Sequence, residues 1–494
     1  MVIWICKRKK GYSNMISFIR IEIESIDSYE NLKVAVPAQL IDDEVIKVLK
    51  QYLGKKCDEI QIEYPYYDSD YLSTYYIHYS QKLRPYEKLC CRLHILKKQE
   101  YYGYIVLRPT TKGTKIGKTF IKPELLVNEQ AYLMLHKFKA HVVGNEMEIR
   151  SFPWKSQETD ISVCAHTAAW TVIRYFGNKF RDYADATIGA LVDHTKNDWG
   201  RKTPSLGLTP VQVSDLFKDY NFSPLILQRD KDKDVGFLDE LIAYIESGIP
   251  MIGFLYPIKH AISIIGHGLV NYDVLDNSTM VDMLKDEEIN VISHSKLIQD
   301  LYVMDDNCFP YRKMPVELPS EESDVIYGLT ELEYAVVPLY RRMQLAYSEV
   351  YERFRVWRKE KVMNWEDFCI CRIYITSANS LKKETMISEN MNEILKDVIL
   401  NMTLPRFVWC IDLAGVDNFK AGLTSGRIII DTTAPTLEEE TWLLRHDGEK
   451  IEFIDIENGD GINKNEYSVI ETEIKPYNIY INNLKEVKPE QLGG

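Results

Sequence analysis

Ile161-Ser-Val-Cys164-Ala-His-Thr-Ala-Ala-Trp170-Thr-Val-Ile-Arg-Tyr-Phe176-Gly177 spaces its apolar residues at helical intervals. The spacing predicts a helix from about Cys164 to Tyr175, stopped by Gly177-Asn178. Small residues follow the cysteine (Ala165, Thr167, Ala168, Ala169), then bulky ones (Trp170, Ile173, Phe176). Such a helix can bury its body while its first turn opens to a cleft. A thiol at that end gains twice. The positive helix terminus stabilises a thiolate, and the unpaired first-turn N–H groups can hold a developing oxyanion. A lone cysteine is more often an inert buried side chain, so the chemistry depends on its companions.

Those companions lie on both sides. Gln157 ends the loop Ser151-Phe-Pro-Trp-Lys-Ser-Gln157, where its amide can donate a second oxyanion hydrogen bond. Downstream, Thr209-Pro210 starts a helix over about Val211 to Tyr220, and another runs from Gly236 to Ser247 before Gly248-Ile-Pro250. Strands follow at Met251–Leu255, Ala261–Gly266 and Leu301–Met304. Helices come first, strands afterwards. His260 stands at the mouth of the second strand, placed to act as base toward Cys164. At the end of the third, Asp305-Asp-Asn307 supplies orienting groups for an imidazole, with Asp305 favoured, then Asp306, and Asn307 also able to serve. The long stretch Gly268–Asp300 holds Asp273, Asp276 and His294, of which Asp276 is a rival acid. His166, two residues along the same helix, and His267, at the far end of its strand, are set aside as bases.

This order resembles the papain-fold cysteine peptidases, in particular the double-glycine (bacteriocin-leader) peptidase-like branch, over roughly residues 150–312. The matching features are Gln157, Cys164-Ala165, Phe176-Gly177, Gly207-Leu-Thr209, Gly248-Ile-Pro250, His260 to Gly266, and Val303-Met-Asp305. Two features depart from the pattern. Gln157 lies one residue further from the cysteine, and Gly268–Asp300 replaces a short hairpin. The resemblance implies a papain-like domain, helices then antiparallel sheet, in which Cys164, His260, Asp305 and Gln157 perform acyl transfer without metal or organic cofactor. The expected activity is an intracellular cysteine peptidase that cuts a peptide or isopeptide bond through a thioacyl-enzyme. Related folds also serve as deamidases and acyltransferases, and a non-catalytic interaction protein on the same scaffold is the remaining alternative.

The whole chain reads as α+β, with flanking α+β domains at 1–145 and 346–494 around a peptidase domain at 146–345. The first is mostly strands (Ile16–Glu24, Glu59–Tyr64, Tyr101–Pro109), with helices expected at Asp42–Tyr52 and Asn128–His136. In the third, helices are expected at Tyr347–Arg358 and Lys383–Met402, and strands at Cys369–Thr376, Phe407–Leu413 and Arg427–Asp431.

Composition sets the outer limits. With 494 residues, 45% hydrophobic and 27% charged, the chain is ordinary globular material. A net charge of −13 argues against a nucleic-acid coat, which needs a basic face. Nine scattered cysteines suggest a reducing cytoplasm. Cys90, Cys91 and His94, and Cys369 and Cys371, sit in alternating apolar runs, not at zinc-site spacing. The short apolar start before Lys7–Lys10 is no signal core, Met15 is a candidate start, and no run is long enough to span a membrane. The expected partners are a protein or peptide substrate and a regulatory protein, with oligomeric state open. Gly103, Arg108, Gly113 and Gly117 are glycine-spaced but lack a phosphate loop's ending. Arg406, Asp431 and Thr432 read as strand-end caps, and the tail Gln491-Leu-Gly-Gly494 resembles ubiquitin-like termini.

Overall fold

The computed structural model describes residues 17–110, 113–158, 161, 163–195, 207–230, 236–256, 258–317, 327–434, 441–454 and 467–490. Met1–Lys10, Met15 and the tail Gln491–Gly494 lie outside the described residues. The chain is a mixed α+β protein with three large sheets. Among the described residues no helix is long and apolar enough to cross a membrane.

Alternating residues in the first region build a five-stranded antiparallel sheet in chain order: Ser17–Glu22, Glu59–Tyr66, Cys90–Lys97, Glu100–Leu107 and Ile116–Ile121. Ile60, Ile62, Leu93 and Ile95 face one core together with the helix Asp43–Tyr52, whose cap Asp42 accepts from the Val45 N–H. Tyr101, Tyr104 and Phe120 face a second core, closed by the hairpin His136–Val142/Asn145–Ser151. Tyr71 and Tyr79 join Tyr101 and Tyr104 in this core, apolar rings that each carry a hydroxyl. The glycine spacing is explained by packing. A Cβ at Gly103 would lie 2.0 Å from the Phe120 carbonyl oxygen.

In the centre, six strands run in the order Arg312–Pro315, Asp300–Met304, His260–His267, Met251–Leu255, Leu332–Leu339 and Ser223–Gln228, antiparallel throughout. The helix Cys164–Lys179 packs on this sheet. Its small residues allow close approach, so that Ser263 Oγ donates to the Ala168 carbonyl at 3.1 Å and meets Thr171 Oγ1 at 2.8 Å. The helix continues through Gly177 to Lys179, and Gly177 packs against the Asp185 backbone, where a Cβ would sit 2.9 Å from its nitrogen. Helices do not all precede strands. Ser223–Gln228 forms an outer strand before the helix Phe237–Glu246.

The helix expected at Asn128–His136 is instead the strand Ala131–Leu133 and the start of the hairpin strand at His136. Ala131 and Leu133 are buried at a spacing of two. They are held because Leu133 and Tyr132 pair with Gly266 and His267 in the central sheet. Lys485–Val487, from the far end of the chain, pairs beside them. Strands of the first and third regions thus extend the sheet of the second.

The third sheet has the order Ile292-Ser293, Ile370–Ser377, Phe407–Ala414, Gly426–Asp431, Trp442–His446, Lys450–Ile454 and Tyr467–Glu471. Its first strand comes from the long stretch after Gly268, which docks the central region onto the third. The helix expected over Lys383–Met402 is two, Ala378–Ile387 and Glu393–Asn401. The Asn392 side chain breaks the run by accepting from the Ile394 and Leu395 N–H groups, a new N-cap. One apolar core connects all three regions.

Candidate active site

Cys164 is the first residue of its helix and half-buried. Helix geometry leaves its N–H and that of Ala165 without an intrahelical acceptor. Val163 holds the extended conformation that precedes a helix, and its N–H points to His166 Nδ1 at 3.4 Å. His166 therefore caps its own helix. Its other nitrogen meets Thr195 Oγ1 at 3.0 Å, and burial pushes its pKa down to about 4.

His260 begins its strand just after Lys259, which takes a left-handed turn (φ +52°). The imidazole lies between two partners. Its Nε2 is 2.8 Å from Asp305 Oδ1, and Cys164 is near enough to act on the ring's pKa. Burial alone would lower the His260 pKa. The Asp305 hydrogen bond, the neighbouring Cys164 side chain and the charges of Asp305 and Asp306 outweigh it and raise the value to about 10.

Asp305 follows the strand Asp300–Met304 and is buried. Its Oδ1 also accepts from the Asn307 N–H at 2.9 Å, and its Oδ2 from the Tyr327 hydroxyl at 2.6 Å. Its carbonyl accepts from Trp154 Nε1 at 2.8 Å. Burial opposes its ionisation, yet the His260 and Tyr327 hydrogen bonds and the imidazolium charge hold its pKa down at about 2. Asp306 is different. Its Oδ1 is 3.6 Å from Nε2, and neither oxygen has a hydrogen-bond partner. Burial, helped by the Asp305 charge, pushes its pKa up to about 7.

Gln157 Nε2 donates to Asn307 Oδ1 at 3.4 Å, and Asn307 Nδ2 lies 3.4 Å from His260 Nε2. The structure therefore brings Cys164, His260, Asp305, Asp306, Asn307 and Gln157 into one cluster. The rival groups are elsewhere. Asp276 pairs with Lys420, and the Asp273 N–H is bound to Asn271. His267 and His294 both face Glu246, which Arg372 also binds. Cys90 and Cys91 enter different cores, as do Cys369 and Cys371, and His94 bonds Tyr101 and Glu63. Among the described residues, His260, Asp305 and Asp306 are the group whose ligating atoms fall within 4.8 Å of one another, as a shared cation would need. Nε2 is already at hydrogen-bond distance from Asp305, which is what a base with an orienting acid requires.

Sequence reasoning missed Tyr327 and the role of Trp154. Trp154 stood in the loop already singled out. Tyr327 carries no motif, and only the tertiary fold places it beside Asp305. Compared with known proteins, the chain matches no family model, no curated protein and no solved structure.

Proposed function

We propose that this site is that of a papain-like thiol enzyme, a cysteine peptidase acting on a peptide or isopeptide bond. One observation carries the reading: an imidazole bound by a buried carboxylate, with the half-buried thiol of a helix N-terminus close enough to act on its pKa. In the mechanism, the Cys164 proton rests on the His260 imidazole before the sulfur adds to the carbonyl carbon. The carbonyl electron pair moves to oxygen, where the Cys164 N–H and the Gln157 amide stabilise it. Collapse breaks the bond to the leaving amine, which takes the proton from the imidazolium. Water, deprotonated by the same imidazole, then releases the acyl group. Asp305 keeps the ring oriented and balances its charge in each protonated state.

A thiol-reactive peptide probe tests the reading. Labelling of Cys164 that is lost in His260→Ala supports an enzyme, and labelling indifferent to that change removes the base from the mechanism. Product analysis with and without added amine separates hydrolysis from acyl transfer.

A further inference from the structure

The loop that presents Gln157 is fixed by the first sheet. Arg108 follows the strand Glu100–Leu107 and is 1% exposed. Its Nη1 donates to Glu158 Oε1 at 2.9 Å. Its Nη2 donates to Ser156 Oγ at 2.7 Å, to the Ser156 carbonyl at 3.3 Å and to the Gln157 carbonyl at 2.7 Å. Lys155 Nζ donates to the same Glu158 oxygen at 2.8 Å, and Ser156 Oγ donates to the Ile116 carbonyl. Burial opposes the Glu158 charge, but Lys155 and Arg108 overcome it and hold that carboxyl below its usual range. One residue earlier, Trp154 forms a two-way backbone bridge with Thr119 on the edge strand Ile116–Ile121.

Gly117 makes room for this arrangement. A Cβ there would lie 3.3 Å from Arg108 Cδ and 3.2 Å from the Val106 carbonyl. Buried ion clusters of this kind add little net stability, because desolvation consumes most of the Coulomb gain, but a guanidinium fork fixes geometry in a way few groups can. What it fixes here is the Gln157 backbone. With that carbonyl tied to Arg108, the side-chain amide is left to reach Asn307, beside His260.

We propose that Arg108 is a positioning residue for the oxyanion side of the Cys164 site, which makes the first sheet a working part of that site. The inference rests on the thiol-enzyme reading above. As sulfur adds to the substrate carbonyl carbon and the electron pair shifts to oxygen, the Gln157 amide can donate to that oxygen only while its loop holds this shape.

Two reactions of Cys164 separate the possibilities. Acylation by p-nitrophenyl acetate passes through an oxyanion, whereas alkylation by iodoacetamide is a direct displacement and does not. Arg108→Met and Gln157→Ala are each expected to slow acylation by about 10- to 100-fold, with no further loss in the double variant. Alkylation should stay within about twofold of wild type in all of them, because the thiol and imidazole are untouched. Arg108→Lys keeps a cation against Glu158 but lacks the fork. It should slow acylation by at least about fivefold, and it carries the test if Arg108→Met does not fold. Wild-type acylation rates in the Arg108 variants overturn the inference, as do losses that multiply with Gln157→Ala. A parallel fall in both reactions does so too, marking a merely structural role. If wild-type protein is acylated no faster than Cys164→Ala, the thiol-enzyme reading itself fails, an outcome distinct from a reactive wild type indifferent to Arg108.

Discussion

In the proposed mechanism His260 carries the largest burden of any single side chain, because the ring bound to Asp305 must also hold and deliver the Cys164 proton. Its pKa of about 10 means that the ring keeps its proton through neutral pH and gives it up only in strong alkali. Asp305→Asn removes the charge and hydrogen bond that raise it. The alkaline limb of the pH–rate profile should then move down by more than a unit, and the rate should fall by about 100- to 10,000-fold, measured as acylation of Cys164. An unchanged limb would mean that another group orients the ring. Asp306 makes the opposite prediction, about stability. Its folded pKa is raised from 3.8 to about 7, so the native state binds more protons than the unfolded one in that interval, and stability drains away as pH rises through it. Asp306→Asn lacks that loss. The variant should gain on wild type between those pH values, by on the order of 4 kcal/mol in all, and hold a constant margin above them. Urea midpoints measured across pH would check this, and parallel curves for the two proteins would refute it.

At the scale of elements, the histidine strand depends on a neighbour far away in the chain. Gly266 allows the segment Ala131–Leu133 to approach, for a Cβ there would meet the Tyr132 carbonyl oxygen at 2.2 Å and Leu133 Cδ2 at 2.8 Å. Gly266→Ala must push that segment away, which breaks the Gly266–Leu133 pairing and spoils packing in a filled core. The expected cost is about 1–3 kcal/mol in chemical denaturation, with the His260 end of the strand least affected. The cysteine helix has a comparable anchor. Trp170 Nε1 donates to Asp70 Oδ1 at 2.9 Å, and Asp70, wholly buried, is also bound by Lys118 and Arg174. Trp170→Phe removes one donor from a buried carboxylate and should cost about 1.5–3 kcal/mol, read from the same titrations.

Across the whole molecule, the three regions do not behave as beads on a string. A continuous apolar core runs from the first sheet through the cysteine helix to Trp409 and Ile411 of the third. Polar ties reinforce it. Glu246 on a central helix binds Arg372 of the third sheet at 2.5 Å, and Asn483 Nδ2 donates to both the Glu246 and Ile375 carbonyls. The 494-residue chain should therefore unfold in one cooperative transition, with tryptophan fluorescence and far-ultraviolet circular dichroism coinciding. A fragment comprising residues 146–345 should fail to fold, since it would expose the faces that the other two regions cover. Two separated transitions would show independent domains.

Much of the site could be read from residue order. The Cys164 helix, the His260 strand and the acids after Met304 each announced themselves, because amphipathic periodicity, capping residues and strand ends are written locally. What escaped was whatever depends on a partner distant in the chain. Nothing about Asn128–His136 says strand until His267 and Gly266 are beside it, and a gap in the Lys383–Met402 helix appears only when Asn392 is seen capping a new start. Likewise the chain order favoured Asp305 over Asp306 and Asn307 without fixing the choice, since the three share one turn. Their separation is a matter of direction: one carboxylate meets Nε2 at hydrogen-bond distance, while its neighbour is buried without a partner. Arg108 shows the same limit, for its meaning lies in a loop nearly fifty residues away. Sequence determined which groups could do chemistry, since reactivity and local propensity belong to single residues and short runs. Tertiary structure decided which of them meet, because convergence is set by how three sheets share a core.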